Sequence, residues 1–270
     1  MTDSGSAGRG RLYQRFLREV AAADLPSGPE ARSMVTEHDL EGLPPAVQRY
    51  LRFMGVVGRP GDWSFRARFQ GRFRLKGKTW MPAEAWQYNS ALDVARVYVM
   101  RLRFAGVVPM MGVDTYLRRR GRMIGKLLGV VPVADGKGQE LDVGELVTYL
   151  NDAILLAPSF LLTPATSWDE VDDRTFDVTL ADHGRSVTAR VFLDDRGAPR
   201  DFNTTDRYAD LPSGLVRAAW TTPVSSWEGV GGRPFPGPMS AIWHLPDGPL
   251  PYVEGRLVPG SVAYNVAPGE

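Results

Sequence analysis

The sequence predicts a mainly β protein with a few helices, in which a curved antiparallel sheet or open β-barrel of about ten or eleven strands cups a central buried helix. Three observations carry this expectation. From Trp63 onward apolar residues fall at every second position, the repeat of a strand with one covered face. The later strand-like runs are joined by short turns such as Asp182-His183-Gly184 and Asp194-Asp195-Arg196-Gly197, a spacing that fits antiparallel hairpins and leaves no room for βαβ crossovers. Between two such series lies one long helical pattern, Asp142 to Leu162.

Taken in order, residues 1–9 are small and polar and read as disordered. Leu12, Phe16, Leu17 and Val20 place one apolar stripe on a short helix ending near Ala23, before Pro26 and Gly28. Such an arm packs on its own domain or serves a partner or a membrane surface. Leu43 to Phe53 reads as a second helix stopped by Gly55. These pieces form an N-terminal arm over residues 1–60, ahead of a β domain over 61–262 that contains the central helix 142–162.

Phe65, Ala67, Phe69, Gly71, Phe73 and Leu75 then alternate with Arg66, Arg68, Gln70, Arg72, Arg74 and Lys76. The basic side reads as a solvated outer face rather than a phosphate-binding surface, because acidic residues elsewhere can pair with it and no aromatic residues interleave on that side. Strands follow at 79–89, 95–104, 113–119 and 122–133. In the central helix, Asp142 and Glu145 have capping-box spacing. Leu146, Leu150, Ala153, Ile154, Ala157 and Leu161 form the apolar face, and Glu145, Thr148 and Asp152 a polar stripe. From Ile154 the pattern is apolar nearly all round, as in a helix covered on every side. It is far shorter than the roughly 20 residues a bilayer requires, so no integral membrane segment is expected. Further strands are predicted at 175–181, 186–193, 200–208, 215–227, 239–245 and 252–258.

Several segments in order (LPPAVQRYL, TWMPAEAWQ, GVDTY, MIGKLLGVVPV, GELVTYL, SWDEVDD as a turn, and Asp206-Arg207) resemble an uncharacterised bacterial family of unknown function, common in actinomycetes. The likeness runs from Leu43 to Val258. The architecture is similar to the lipoprotein-localisation-factor class of curved-sheet carriers of apolar ligands, in fold only. The family favours arginine and glutamate in the central helix where this chain has Thr148 and Asp152. If those two residues pair, the resemblance implies that this chain lacks the pair.

The chain has 270 residues, 43% of them hydrophobic, enough for a large core. It contains no cysteine, which excludes disulfides, thiolate metal sites and a cysteine nucleophile. Its three histidines, His38, His183 and His244, are far apart, so no metal site is expected. A formal net charge of +1 supplies no electrostatic argument for nucleic acid. The N-terminus has no apolar stretch of signal-peptide length, which predicts a cytoplasmic protein, monomeric or homodimeric.

No nucleophile elbow, P-loop or dinucleotide fingerprint is present, so any chemistry is expected to need no cofactor. Asp114, within Gly112-Val113-Asp114-Thr115-Tyr116, is a candidate acid or base beside Tyr116, or else a turn residue bonded to nearby backbone. Asp152, where the polar stripe meets the apolar end, is either a desolvated acid or half of an ion pair with a sheet arginine. Lys126 is a buried amine or points outward, and His244 a proton carrier or a satisfied sheet histidine. Trp80, Trp86, Tyr88, Tyr98, Met100, Tyr149, Trp220 and Trp243 are candidate lining for a cavity. The expected ligand is a bulky, mostly apolar small molecule, converted without cofactor as by a cyclase or isomerase; the alternative is passive carriage or sensing of a lipid.

Overall fold

The computed structural model describes residues 4–29, 32–75, 78–104, 108–127, 131–211, 214–230 and 232–270. Helices α1 (Ser4–Ala22) and α2 (Pro45–Phe53) come first, followed by strands β1 (Ser64–Phe73), β2 (Met81–Ser90), β3 (Ala95–Phe104), β4 (Val108–Leu117), β5 (Arg120–Leu127) and β6 (Val131–Lys137). Helix α3 (Gln139–Leu156) runs into a 3₁₀ turn at Pro158–Leu161. The second series is β7 (Thr166–Asp172), β8 (Thr175–Asp182), β9 (Arg185–Leu193), β10 (Pro199–Thr204), β11 (Tyr208–Leu211), β12 (Gly214–Arg217), β13 (Ala219–Thr221), β14 (Trp227–Val230), β15 (Arg233–Pro236), β16 (Met239–Leu245), β17 (Gly248–Leu257) and β18 (Ala263–Tyr264).

Fourteen of these strands form one antiparallel sheet in the order β6-β5-β4-β3-β2-β1-β17-β16-β13-β10-β9-β8-β7, with β18 also on β1. Two meanders therefore meet at the β1–β17 seam, and the edges β6 and β7 stay unpaired with each other among the described residues, so the sheet is curved but not a closed barrel. Pairs β11–β12 and β14–β15 are separate two-stranded sheets. Because α3 follows one edge strand and precedes the other, the chain must carry it across the gap. It packs on β4 and β5 on one side and on β9 and β10 on the other. Leu146, Leu150, Ala153 and Ile154 are fully buried there.

The start of α3 differs from the expected capping box. The helix begins at Gln139, and neither Asp142 nor Glu145 caps it. Asp142 instead accepts from the Gly121 N–H at 2.7 Å and pairs with Arg120 at 3.2 Å and Arg185 at 3.0 Å. A Cβ at Gly121 would collide with the Leu141 backbone, so glycine is what lets β5 approach this closely. A carboxylate wedged against a sheet finds charge-assisted partners stronger than its own backbone. At the other end Pro158, lacking an N–H, ends the helix early, so the predicted span 142–162 divides into a helix and a 3₁₀ turn. Among the described residues no helix is long and apolar enough to cross a membrane.

The arm also departs from expectation. Residues 4–9, read as disordered, belong to α1, while residues 1–3 lie outside those described. Leu12, Phe16 and Val20 pack on the convex face of the sheet against Tyr88, Val97, Val99 and Val113, making a second core. The basic face of β1 is therefore not simply solvated. Arg66 lies over Tyr13 and Arg68 over Trp86, each 5.9 Å from the ring centroid, and Arg72 and Arg74 flank Trp80 at 4.7 and 4.6 Å. The aromatic partners come from neighbouring elements, which a single-strand pattern does not reveal; Lys76 is outside the described residues. Helix α2 joins the main core, where the Tyr50 hydroxyl donates to the Ile154 carbonyl at 2.8 Å.

The strand count is higher than expected because long runs are broken. The run 122–133 is β5 and β6, with residues 128–130 outside those described. The run 215–227 contributes to three strands. SWDEVDD, read as a turn, is edge strand β7, whose Trp168 packs on Tyr50 and Phe176 while its acidic residues face water. Charge along an exposed edge opposes pairing with other chains.

Candidate functional site

Alternation along β2 sends Trp86 and Tyr88 to the convex face and leaves Ala83, Ala85, Gln87 and Asn89 on the concave one. Ala241 of β16 and Gly255 of β17 border the same space. With so little side-chain volume on this wall, the sheet and α3 do not close on each other. A cleft of about 190 Å³ remains, larger than the ~150 Å³ cavity that admits benzene. Phe69, Phe73, Tyr98, Met100, Trp220 and Tyr252 supply apolar walls, and Glu145, Thr148, Asn151 and Asp152 of α3 the polar side. Arg72 and Glu254 form an ion pair at the rim.

The polar side is organised by Arg96 of β3, which points inward and is 5% exposed. Its Nε donates to Asp152 Oδ2 at 2.8 Å and its Nη1 to Glu145 Oε2 at 3.0 Å. Gln87 and Asn89 donate to the same Asp152 oxygen at 2.6 and 3.2 Å. Asp114 lies in the middle of β4, opposite Tyr98 of β3 and Met123 of β5, so it is a strand residue and not a turn residue. Burial, and then the Glu145 carboxylate, push Asp114 up to about 7. Burial also raises Asp152 and Glu145 against the pull of Arg96. Among the described residues Asp114 has no hydrogen-bond donor and no cation in direct contact, so of the three carboxyls it has the least to hold it ionised.

Of the residues singled out from sequence, Asp114, Asp152, Tyr98, Met100 and Trp220 border the cleft. Tyr116 does not; it is buried in the core with its hydroxyl on Asp182 Oδ2 at 2.6 Å. Tyr149 is core, bonded to the Ser90 carbonyl at 3.1 Å. Trp243 stands behind the wall, stacked on Tyr252 at 6.1 Å. Trp86 and Tyr88 are under α1, and Trp80 is held between arginines. Lys126 is half-buried in β5, and exposed His244 bonds to Thr221 at 2.9 Å.

Sequence reasoning expected a sheet arginine on Asp152 without naming Arg96, gave no site role to Arg207 or Tyr252, and read Glu145 as a capping residue on the polar stripe. A signal for the cluster exists in Trp86-Gln87-Tyr88-Asn89, where polar side chains take the alternation that faces the helix.

A curved, open antiparallel sheet cupping a helix, with a cleft left between them, defines the class of protein. The chain belongs to a family of unknown function, DUF6544, matched over residues 33–255. Similar solved structures include a LolA superfamily protein from Nitrosomonas europaea, at 12% identity and TM-score 0.43, over 87% of this chain and 96% of that one. A putative outer membrane lipoprotein-sorting protein domain from Vibrio parahaemolyticus is 12% identical with TM-score 0.42, over 84% and 93%. A DUF1329 family protein from Desulfovibrio piger is 11% identical with TM-score 0.44, over 87% and 95%. No curated protein matches the sequence.

Proposed function

We propose that the cleft binds one mostly apolar small molecule per chain and that the protein acts as its carrier. The observation that carries this is the cleft itself: apolar walls from Phe69, Phe73, Met100 and Tyr252 beside a compact polar cluster, the composition of a small-molecule site. At about 190 Å³ the enclosed part suits a ring or a short chain, with the remainder of a bulkier ligand projecting through the open rim. Titration with the neutral apolar dye Nile red tests it. Saturable binding at one site per chain is expected, and a non-saturating response would remove the proposal.

A second reading, conversion without cofactor in the manner of a cyclase or isomerase, is favoured by Asp114 alone. A carboxyl poised near neutrality at a cleft wall can give or take a proton. Tyr116 donates its hydroxyl to Asp182 in the core and does not line the cleft, so this reading is carried by Asp114.

A further inference from the structure

Arg207, in the turn before β11, is a cation in the cleft with no counterion in contact among the described residues. Its guanidinium carbon is 4.3 Å from the Trp220 ring centroid and 5.4 Å from that of Trp243, so two indoles hold it in place. Its Nε is buried without a hydrogen-bond partner, and among the described residues no carboxylate oxygen lies within 4.0 Å of it. Gly144 of α3 leaves space alongside, since even an added Cβ would stand 3.8 Å from that Nε. Arg96 differs in being taken up by Glu145 and Asp152. Asp114 borders the same cleft, senses the Arg207 charge, and among the described residues has no hydrogen-bond donor.

We infer that the ligand is an apolar organic acid, whose carboxylate is received by Arg207 with the Asp114 carboxyl donating to it and whose tail lies along Phe69, Phe73 and Met100. This rests on the cleft being a ligand site. A planar guanidinium offers paired N–H donors that match the two oxygens of a carboxylate, and an apolar tail suits the remaining wall. Charge balance adds a condition. Asp114 is faced by Arg96 and Tyr98 of β3, Glu145 of α3 and Arg207, and beyond Tyr98 by Tyr252 of β17, while Asp152 of α3 lies on the far side of Arg96. With Asp114 protonated, Arg96 and Arg207 balance Glu145 and Asp152. Ionisation of Asp114 adds a negative charge and removes a donor, so the acid binds less well as pH rises through about 7.

Fluorescence titration with dansylaminoundecanoic acid and its methyl ester, on the full chain, tests this. The acid should bind about tenfold or more tightly than the ester near pH 6, the effect of a charge-assisted contact. Arg207→Met should bring the acid down to the affinity of the ester, measured on the same variant, and Asp114→Asn, which keeps a donor, should make acid binding insensitive to pH. Equal saturable binding of acid and ester by the unaltered protein overturns the inference while leaving the cleft a ligand site. An Arg207→Met protein that still prefers the acid overturns it as well. Failure of both probes to saturate removes the carrier proposal and this inference together.

Discussion

Arg96 Nε and Asp152 Oδ2 lie 2.8 Å apart with side chains only 6% and 12% exposed, and they join β3 to α3 across the concave side of the sheet. Two charges out of water are costly, and their attraction offsets that cost only when the remaining hydrogen-bonding positions are filled. Here Glu145 takes Arg96 Nη1, and Gln87 and Asn89 add their donors to Asp152 Oδ2, while the carboxylate itself borders the cleft. Of the two readings that the position of Asp152 in the helix allowed, the structure shows the ion pair with a sheet arginine.

Removing Asp152 leaves the buried Arg96 with Glu145 as its remaining ion-pair partner and takes away the acceptor that Gln87 and Asn89 share. Asp152→Ala is expected to lower stability by about 3–5 kcal/mol, read from urea unfolding. A loss under about half a kcal/mol would mean that water enters the cluster and the pair contributes nothing.

Asp114 gives a pH-dependent expectation of definite sign. Its folded value, near 7 against an ordinary 3.8, means that the folded state holds the proton more tightly than the unfolded one. The associated stability is complete below about pH 4 and is lost as pH rises through about 7. Asp114→Asn cannot ionise, so it should raise the unfolding midpoint at about pH 8.5 relative to its effect at about pH 4, a difference of about 1–3 kcal/mol after screening by water in the cleft. A variant whose effect is the same at both pH values would show that Asp114 titrates normally.

The architecture was legible because it rests on pattern. Alternation in β1 and β9, the hairpin turns and the apolar end of α3 each follow from residue order within one element. The site was not, because it depends on which face of a strand meets which other element. Strand β3 reads Ala-Arg-Val-Tyr-Val-Met-Arg-Leu, with apolar residues on both faces, since α1 covers Val97 and Val99 while Tyr98 and Met100 border the cleft. No period marks Arg96 as inward-facing. Trp86 and Tyr88 were credited to a cavity for the same reason: aromatic residues signal burial without saying under which layer. The small residues Ala83, Ala85, Ala241 and Gly255, which create the space, carry no chemical signal by themselves.

Those small residues offer the most direct test of the cleft. Ala83 is half-buried on the concave side of β2, opposite Gly71 of β1 and Leu102 of β3, and it borders the open volume. Replacement by phenylalanine places a ring where the ligand is proposed to lie and removes no polar side chain. Filling unoccupied space commonly adds about 0.5–2 kcal/mol when the new side chain finds a relaxed rotamer, whereas forcing a ring into packed core costs about 1–3 kcal/mol. Ala83→Phe is therefore expected to keep or raise the urea midpoint while weakening Nile red binding about tenfold or more, a change of a little over 1.4 kcal/mol. Calorimetric titration of the same variant should show the stoichiometry falling or the affinity collapsing, with the fold intact. If instead the dye binds unchanged to a stable Ala83→Phe protein, it binds elsewhere, and the cleft between the sheet and α3 is a packing gap rather than a ligand site.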